Sequence, residues 1–109
     1  MKPDDFRKIA LSLPEAVESA HMGHPDFRVN KKIFATLFTR DEVEWGMVKL
    51  TPEQQQQFVK AEPKMFAAVP GGWGRGGATQ VNLKAAKTGP VRKAMLAAWL
   101  NIAPKRLTQ

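Results

Sequence analysis

The chain of 109 residues contains no cysteine and no tyrosine, and its only serines are Ser12 and Ser19. Without thiols, the chain cannot form disulfides, zinc sites with thiolate ligands or a cysteine nucleophile. A serine nucleophile needs a base, a residue that orients the base and an oxyanion hole, and the sequence shows no such set around either serine. We therefore expect a binding protein rather than an enzyme.

Long hydrophobic runs are also absent. A membrane-spanning helix needs about 20 consecutive apolar residues, and no segment of the chain approaches that length. The first residues, Met1 to Asp5, carry charge but are not followed by the apolar segment of a secretory signal. From the length and these absences we expect a cytoplasmic, bacterial-type protein with no membrane association and a single domain over residues 1–109.

Acidic residues are missing from the C-terminal part of the chain, since all ten lie at or before Glu62. Residues 1–62 have nine Lys and Arg and a net charge of −1, whereas residues 63–109 have eight Lys and Arg and a net charge of +8. A one-sided basic segment attracts polyanions, although many basic surfaces serve only solubility. The charge distribution therefore favours a polyanionic partner, nucleic acid first among them.

Proline, capping residues and apolar periodicity divide the chain into helices and strands. Pro14 ends a first helix of about residues 4–13, because proline lacks the N–H that a helix interior requires. A capping box of Thr51 and Gln54 begins a second helix that reaches about residue 61.

A continuous apolar stripe from Val91 to Ile102 predicts a last helix that begins near Thr88 and ends before Pro104. The candidate strands are residues 16–21, 27–29, 33–38, 43–50, 66–69 and 78–83. The aromatic residues expected in the core are Phe34, Phe38, Trp45 and Trp99. This order predicts an α+β fold of two layers, an antiparallel sheet of about five strands with helices packed on one face.

The segment Gly72–Gly77 matches the pattern G-x-G-x-x-G. A dinucleotide site would need a preceding strand, a following helix and an acid about 20 residues later, but no acid follows Glu62. Two interpretations remain open. The segment is either a hairpin turn with Trp73 packed on the core, or a mobile wing in which Arg75 contacts a phosphate and Trp73 stacks on a base or lines a pocket.

Two histidines, His21 and His24, stand three residues apart with Asp26 nearby. Imidazole and carboxylate groups are ligands for transition metals. The spacing places the two histidines across a turn, however, and no third ligand is evident. We therefore expect neither a metal nor a cofactor.

The stretch of residues 23–35, GHPDFRVNKKIFA, resembles the central signature of the MmcQ/YjbR family, with a Gly-x-Pro turn, a Phe-x-Val strand and a Lys-Ile-Phe-Ala strand. The flanking residues Leu11–Glu15 and a Trp-containing strand agree with it. The resemblance implies a two-layer sandwich similar to the frataxin/CyaY fold. It also implies DNA binding through a proposed double-wing mode, and it supplies no catalytic set.

The first functional hypothesis is a nucleic-acid-binding module that contacts mainly phosphates, which gives affinity with little sequence selectivity. The predicted contact residues are Arg75, Lys84, Lys87, Arg92 and Lys93, with Trp73 as a possible stacking group. The alternative is a small-ligand or protein-binding domain that uses the Gly-rich segment. An acidic protein partner would suit the same basic residues.

Overall fold

Two-residue turns with left-handed backbone fold residues 17–49 into an antiparallel meander of four strands. The structure, a computed structural model, describes residues 1–108, and φ is positive at both residues of the turns Met22-Gly23, Asn30-Lys31 and Asp41-Glu42. Turns of this type, I′, match the right-handed twist of paired strands. The four strands are β1 (Val17–His21), β2 (His24–Val29), β3 (Lys32–Arg40) and β4 (Val43–Lys49).

Two further strands, β5 (Phe66–Ala68) and β6 (Ala78–Asn82), complete an antiparallel sheet with the order β1-β2-β3-β4-β6-β5. The helices are α1 (Pro3–Leu11), α2 (Pro52–Ala61), α3 (Gly72–Arg75), α4 (Thr88–Ile102) and α5 (Lys105–Thr108). None of these helices, which are those of residues 1–108, is long and apolar enough to cross a membrane. The predicted α+β class with an antiparallel sheet is confirmed, and the sheet has six strands in place of about five.

Local hydrogen bonds mark the start of α2 and the end of α1. At the start of α2, the Thr51 hydroxyl accepts from the Gln54 N–H at 3.2 Å, and the Gln54 side chain accepts from the Thr51 N–H at 2.9 Å. The predicted capping box is thus confirmed. Helix α1 ends two residues earlier than predicted, where the Ser12 hydroxyl donates to the Ile9 carbonyl at 2.6 Å.

Side chains alternate between the two faces of the sheet, and the helices α1, α2 and α4 pack on one of them. Leu37, Gly46 and Val81 are paired across β3, β4 and β6, so they share that face. The Phe6 ring of α1 lies directly over Gly46. Helix α1 also contacts α4, and the buried core fills the space between these helices and the sheet.

The opposite face, here called the open face, carries aromatic and polar side chains. Phe38 and Trp45 pair across β3 and β4 on this face and are only half-buried, so their prediction as core residues was wrong. The Arg40 guanidinium lies 5.6 Å from the Phe38 ring centroid and 5.0 Å from that of Trp45. Of the four aromatic residues predicted in the core, Phe34 and Trp99 are buried there.

The contact between Phe6 and Gly46 gives a stability prediction. A Cβ atom at Gly46 would stand 2.5 Å from the Phe6 ring, so we expect Gly46→Ala to lower the free energy of unfolding by about 1–3 kcal/mol through overpacking. In contrast, nothing lies within 4 Å of a Cβ at Gly89, so Gly89→Ala should be neutral or stabilising by up to about 1 kcal/mol. Urea denaturation measures both, and equal stabilities of the two variants would contradict this packing.

Candidate functional site

Four of the predicted phosphate-contacting residues lie where β6 leads into α4. Lys84 and Lys87 lie in the connection, and Arg92 and Lys93 lie in the first two turns of the helix. All four side chains are exposed, and within residues 1–108 none of them forms an ion pair. The unsatisfied N–H groups at the start of a helix add positive potential. We call these four residues the α4 basic cluster.

The N-terminal segment extends this positive surface. The Met1 amino group donates to the Leu83 carbonyl at 2.9 Å, which places Lys2 beside the connection that holds Lys84. Lys8 of α1 and Arg92 of α4 line the same cleft, whose volume is about 230 Å³. Lys2 and Lys8 were not predicted from the sequence, because they belong to the part of the chain with a net negative charge.

Trp73 and Arg75 lie at the other end of α4. Trp73 lines a cavity together with Asn101, which is near the C-terminal end of that helix. Helix α4 has 15 residues, and a helix rises 1.5 Å per residue, so its length is about 22 Å. The structure therefore places the six residues of the predicted nucleic-acid site on two separate surfaces.

The Gly-rich segment lies in the connection between the antiparallel partners β5 and β6, so the predicted hairpin is confirmed, and the short helix α3 forms within it. The backbone φ is positive at Gly71 and Gly77. Trp73 is 73% exposed instead of packed on the core, so that part of the interpretation was wrong. A Cβ atom at Gly74 would collide with the Val69 carbonyl, and one at Gly77, where φ is +111°, would collide with the Leu50 carbonyl. These glycines allow backbone segments to approach closely, which sequence spacing alone does not reveal.

Gln55 of α2 anchors this segment further. Its side-chain amide donates to the carbonyl of Gly74 at 3.0 Å and to that of Ala78 at 2.9 Å. Trp73 is thus presented to solvent by a firmly held element. It borders an open cavity of about 730 Å³. The other lining residues are Lys49, Leu50, Thr51, Pro52, Gly72, Gly76, Ala78, Asn101 and Ile102.

The open face holds a buried carboxylate, that of Asp26, at the edge formed by β1 and β2. Arg28 donates to its two oxygens at 2.7 and 3.0 Å, and His21 lies with Nδ1 at 2.8 Å from Oδ2. The hydrogen bonds from Arg28 lower the pKa of Asp26, burial opposes this shift, and the contact with His21 adds to the lowering. The carboxylate is therefore ionised at neutral pH.

A cavity of about 370 Å³ lies next to this pair, lined by His21, His24, Thr36, Phe38, Thr39 and Arg40. His21, His24 and Asp26 stand out in the sequence, but the contact between His21 and Asp26 was not predicted. The alternation of side chains along β2 could have predicted which face Asp26 occupies. Phe27 and Val29 are buried on the helix side, so Asp26 must face the other way.

Comparison with known proteins agrees with this fold. The family model described as YjbR matches residues 11–103, which is most of the chain. The chain belongs to the YjbR family. The crystal structure of Deinococcus radiodurans protein DR2400, which carries the family-model domain DUF419, is similar to this YjbR chain with a TM-score of 0.74 and 19% identity. The alignment covers 97% of this chain and 81% of that one, and at this identity it shows the fold alone. A search of curated proteins found no match.

The lowered pKa of Asp26 makes the stability of this YjbR protein depend on pH. The ionised Asp26 carboxylate stabilises the fold at pH values above about 3.9, which is the pKa of an aspartate in the unfolded chain. This contribution is lost as the pH falls through the lower pKa that Asp26 has in the folded protein. We expect Asp26→Asn to lower the melting temperature at neutral pH. The gap from the unmodified protein should narrow steadily on acidification below about pH 4. Thermal melts across this range measure the gap, and a constant gap would show that the carboxylate charge contributes nothing.

Proposed function

We propose that this YjbR protein binds nucleic acid and contacts its phosphates through the α4 basic cluster. The observation that carries the proposal is that these four bases are exposed and without ion pairs in the part of the chain that the structure describes. Arg7, Arg28 and Arg106 are paired with carboxylates, whereas the lysines elsewhere in residues 1–108 are also without ion pairs, so what distinguishes the four bases is that they lie together where α4 begins. Unneutralised positive charge on one end of the molecule favours the release of counterions from a polyanion.

Nearby acids offset only part of this positive charge. Asp4 pairs with Arg7, whereas Asp5 accepts the backbone N–H of Lys2, keeps its charge and lines the cleft of Lys8 and Arg92. Lys2 and Lys8 outnumber Asp5, so together these three residues still add to the positive surface. With four to six bases available for phosphate contacts, the logarithm of the binding constant should fall with the logarithm of salt concentration with a slope of about −4 to −5.

The double-wing mode that the family resemblance implies has one candidate wing in the Gly-rich segment. The hydrogen bonds from Gln55 and the close packing of Gly74 anchor that segment, which argues against a mobile wing there. A nucleic acid on the α4 basic cluster would have to extend about 22 Å, or roughly six base pairs at 3.4 Å each, to reach Trp73 and Arg75. We assign these two residues a secondary part in nucleic-acid binding.

We further propose that the protein acts by binding and not by catalysis. The hydroxyl of Ser12 donates to a backbone carbonyl. Ser19 lies on the open face in register with Asp26, but no side-chain hydrogen bond joins it to His21 within residues 1–108. An activated serine needs that bond to its base.

Two matched lysine pairs test the proposed surface. We expect Lys84→Gln with Lys87→Gln to weaken binding of a labelled DNA duplex and to flatten the salt slope by about two units, since each lost phosphate contact removes about 0.9. The control is Lys31→Gln with Lys32→Gln, which removes the same charge from the exposed β2–β3 turn at the other end of the sheet. Fluorescence anisotropy at several salt concentrations measures both slopes.

Equal loss in the two variants would mean that only net charge matters, and no binding of duplex or single strand at low salt would refute the nucleic-acid proposal. Polyglutamate serves as a second titrant in the same assay. If it binds with the affinity and salt slope of DNA, the α4 basic cluster is better explained as a surface for an acidic protein partner.

The cavity beside Trp73 favours a second candidate function, the binding of a small planar aromatic anion. Trp73 offers an exposed indole face, and Leu50, Pro52 and Ile102 provide apolar walls. The Lys49 ammonium lies 5.8 Å from the Trp73 ring centroid and has no carboxylate partner among residues 1–108. Concave apolar sites with one or two placed charges are typical of small-ligand pockets.

The probe 8-anilinonaphthalene-1-sulfonate, an aromatic anion with a planar naphthalene ring system, tests this candidate. We expect one probe per chain, with affinity reduced at least about tenfold by Trp73→Ala, through loss of stacking, and less by Lys49→Gln. Trp73→Phe keeps an aromatic ring and should retain most of the affinity. Fluorescence titration at a temperature where all variants are folded measures the constants. Unchanged affinity in Trp73→Ala would place the probe elsewhere.

A further inference from the structure

The β1–β2 hairpin brings the two histidines of the chain together on the open face. His21 and His24 are directly paired across the strands, on either side of the turn Met22-Gly23. Residues paired in this way project to the same side of the sheet. Their ring centroids are 6.4 Å apart, and both rings line the cavity of about 370 Å³. Neither the family match nor the proposed nucleic-acid surface accounts for this arrangement.

Asp26 fixes one of these rings. Its carboxylate is fully buried, although it belongs to the face without the helix layer, and His21 Nδ1 lies 2.8 Å from one of its oxygens. Because an ionised carboxylate only accepts hydrogen bonds, we assign the proton of neutral His21 to Nδ1, which leaves Nε2 with a free electron pair. A histidine held by a carboxylate through one nitrogen is the arrangement found at histidines that bind metals through the other.

We propose that His21 and His24 together bind one divalent transition-metal ion of the Zn²⁺, Ni²⁺ or Cu²⁺ class, with Asp26 as a positioning residue. Imidazole nitrogen suits these ions, whereas Mg²⁺ and Ca²⁺ prefer oxygen ligands. With a metal–nitrogen distance of about 2.1 Å, each ring centroid lies roughly 3.2 Å from the ion, so two coordinating rings have centroids about 5.2 Å apart at a tetrahedral angle. Both rings are exposed, and binding requires them to turn until their centroids are about 1 Å closer together.

The protein supplies two ligands to this site, and water completes the coordination. Asp26 is not a ligand, because Arg28 and His21 occupy its oxygens. No group of three or more His, Asp or Glu side chains that would hold a metal occurs in residues 1–108. The ion is therefore exchangeable, and the protein does not need it as a structural metal in order to fold.

Arg40 favours anionic groups at the coordination positions of the ion that the protein leaves open. Its guanidinium lines the same cavity, stacks over Phe38 and Trp45, and donates to the Gln80 side chain at 3.1 Å. It has no carboxylate partner among the described residues. An anionic group bound in this cavity would be attracted by the metal ion and by the guanidinium, so we expect anionic co-ligands to replace the bound water.

Isothermal titration of the full chain with Zn²⁺ and with Ni²⁺ tests the proposal, and the composition makes the result unambiguous because the chain has two histidines and no cysteine. We expect one ion per chain, and at least a tenfold loss of affinity in each of His21→Gln and His24→Gln. Both side chains are exposed, so these variants should fold. Glu44→Gln is the matched control, since Glu44 lines a different cavity with His24, and its affinity should be unchanged.

Nuclear magnetic resonance of the histidine nitrogens separates positioning from mere folding. Without metal, His21 should show the tautomer with the proton on Nδ1, and Asp26→Asn should change that tautomer and lower metal affinity by about 10- to 100-fold with one ion still bound per chain. Zn²⁺ should shift the signals of both histidines in the unmodified protein.

Three results obtained with metal would overturn the proposal. They are metal affinity unchanged in His21→Gln and in His24→Gln, a stoichiometry of one ion per two chains, or a metal shift confined to one histidine. Inorganic phosphate without metal is the remaining probe. If phosphate binds, if Arg40→Gln weakens that binding, and if metal does not bind, the cavity is an anion site and not a metal site. None of these results depends on whether the protein binds nucleic acid.

Discussion

The seating of the Phe6 ring on the backbone of Gly46 is the contact on which the two-layer arrangement depends. Gly46 lies in the middle of β4, where its neighbours across the sheet are Leu37 and Val81. Any side chain at this position would collide with the Phe6 ring. Because α1 lies close to the sheet, α4 can pack beside it, and Trp99 of α4 donates its indole N–H to the Pro14 carbonyl at 3.1 Å.

That one-sided packing determines where polar chemistry is found. The helices cover one face of the sheet and contribute the apolar core, so the other face is free to carry Asp26, Arg28, the two histidines and Arg40. A buried carboxylate costs free energy unless it is paired and hydrogen-bonded. Asp26 meets both conditions, and the pair leaves an oriented imidazole at the surface.

The sequence predicted those elements whose signals are local. The capping box of Thr51 and Gln54 sets the start of α2, and the apolar stripe of α4 identifies the last helix. Features that depend on contacts between distant segments were missed. The glycines of the segment Gly72–Gly77 predicted a turn because glycine disfavours helix, but they did not reveal the short helix α3 or the close approach of Gly74 and Gly77 to the Val69 and Leu50 carbonyls. The apolar residues of β3 lie at both parities, so the pattern could not show that Phe38 faces outward.

The prediction of the functional site was likewise correct only where the residues are close together in sequence. Lys84 through Lys93 are close in sequence, so their clustering at the start of α4 follows from helix geometry alone. Trp73 and Arg75 come shortly before these bases in sequence, and Arg75 precedes Lys84 by only nine residues. Between the two groups, however, β6 carries the chain from one end of the sheet to the other. Proximity in sequence therefore did not mean proximity in space.

One end of the sheet gathers both the α4 basic cluster and the histidine hairpin. Phe38, Trp45 and Asn82 are in register across β3, β4 and β6, and His24 lines a cavity with Phe38 at that end. The connection with Lys84 begins there too, three strand spacings from β2, or about 14 Å. The first turn of α1 lies between the two places, since Met1 bonds to Leu83 and Pro3 lines a cavity with His24. A separation of about 14 Å exceeds the Debye length of about 8 Å at physiological salt. A polyanion on the cluster and an ion on the hairpin would therefore be largely screened from one another at that salt concentration, and they would interact more strongly at about 0.01 M salt, where the Debye length is about 30 Å.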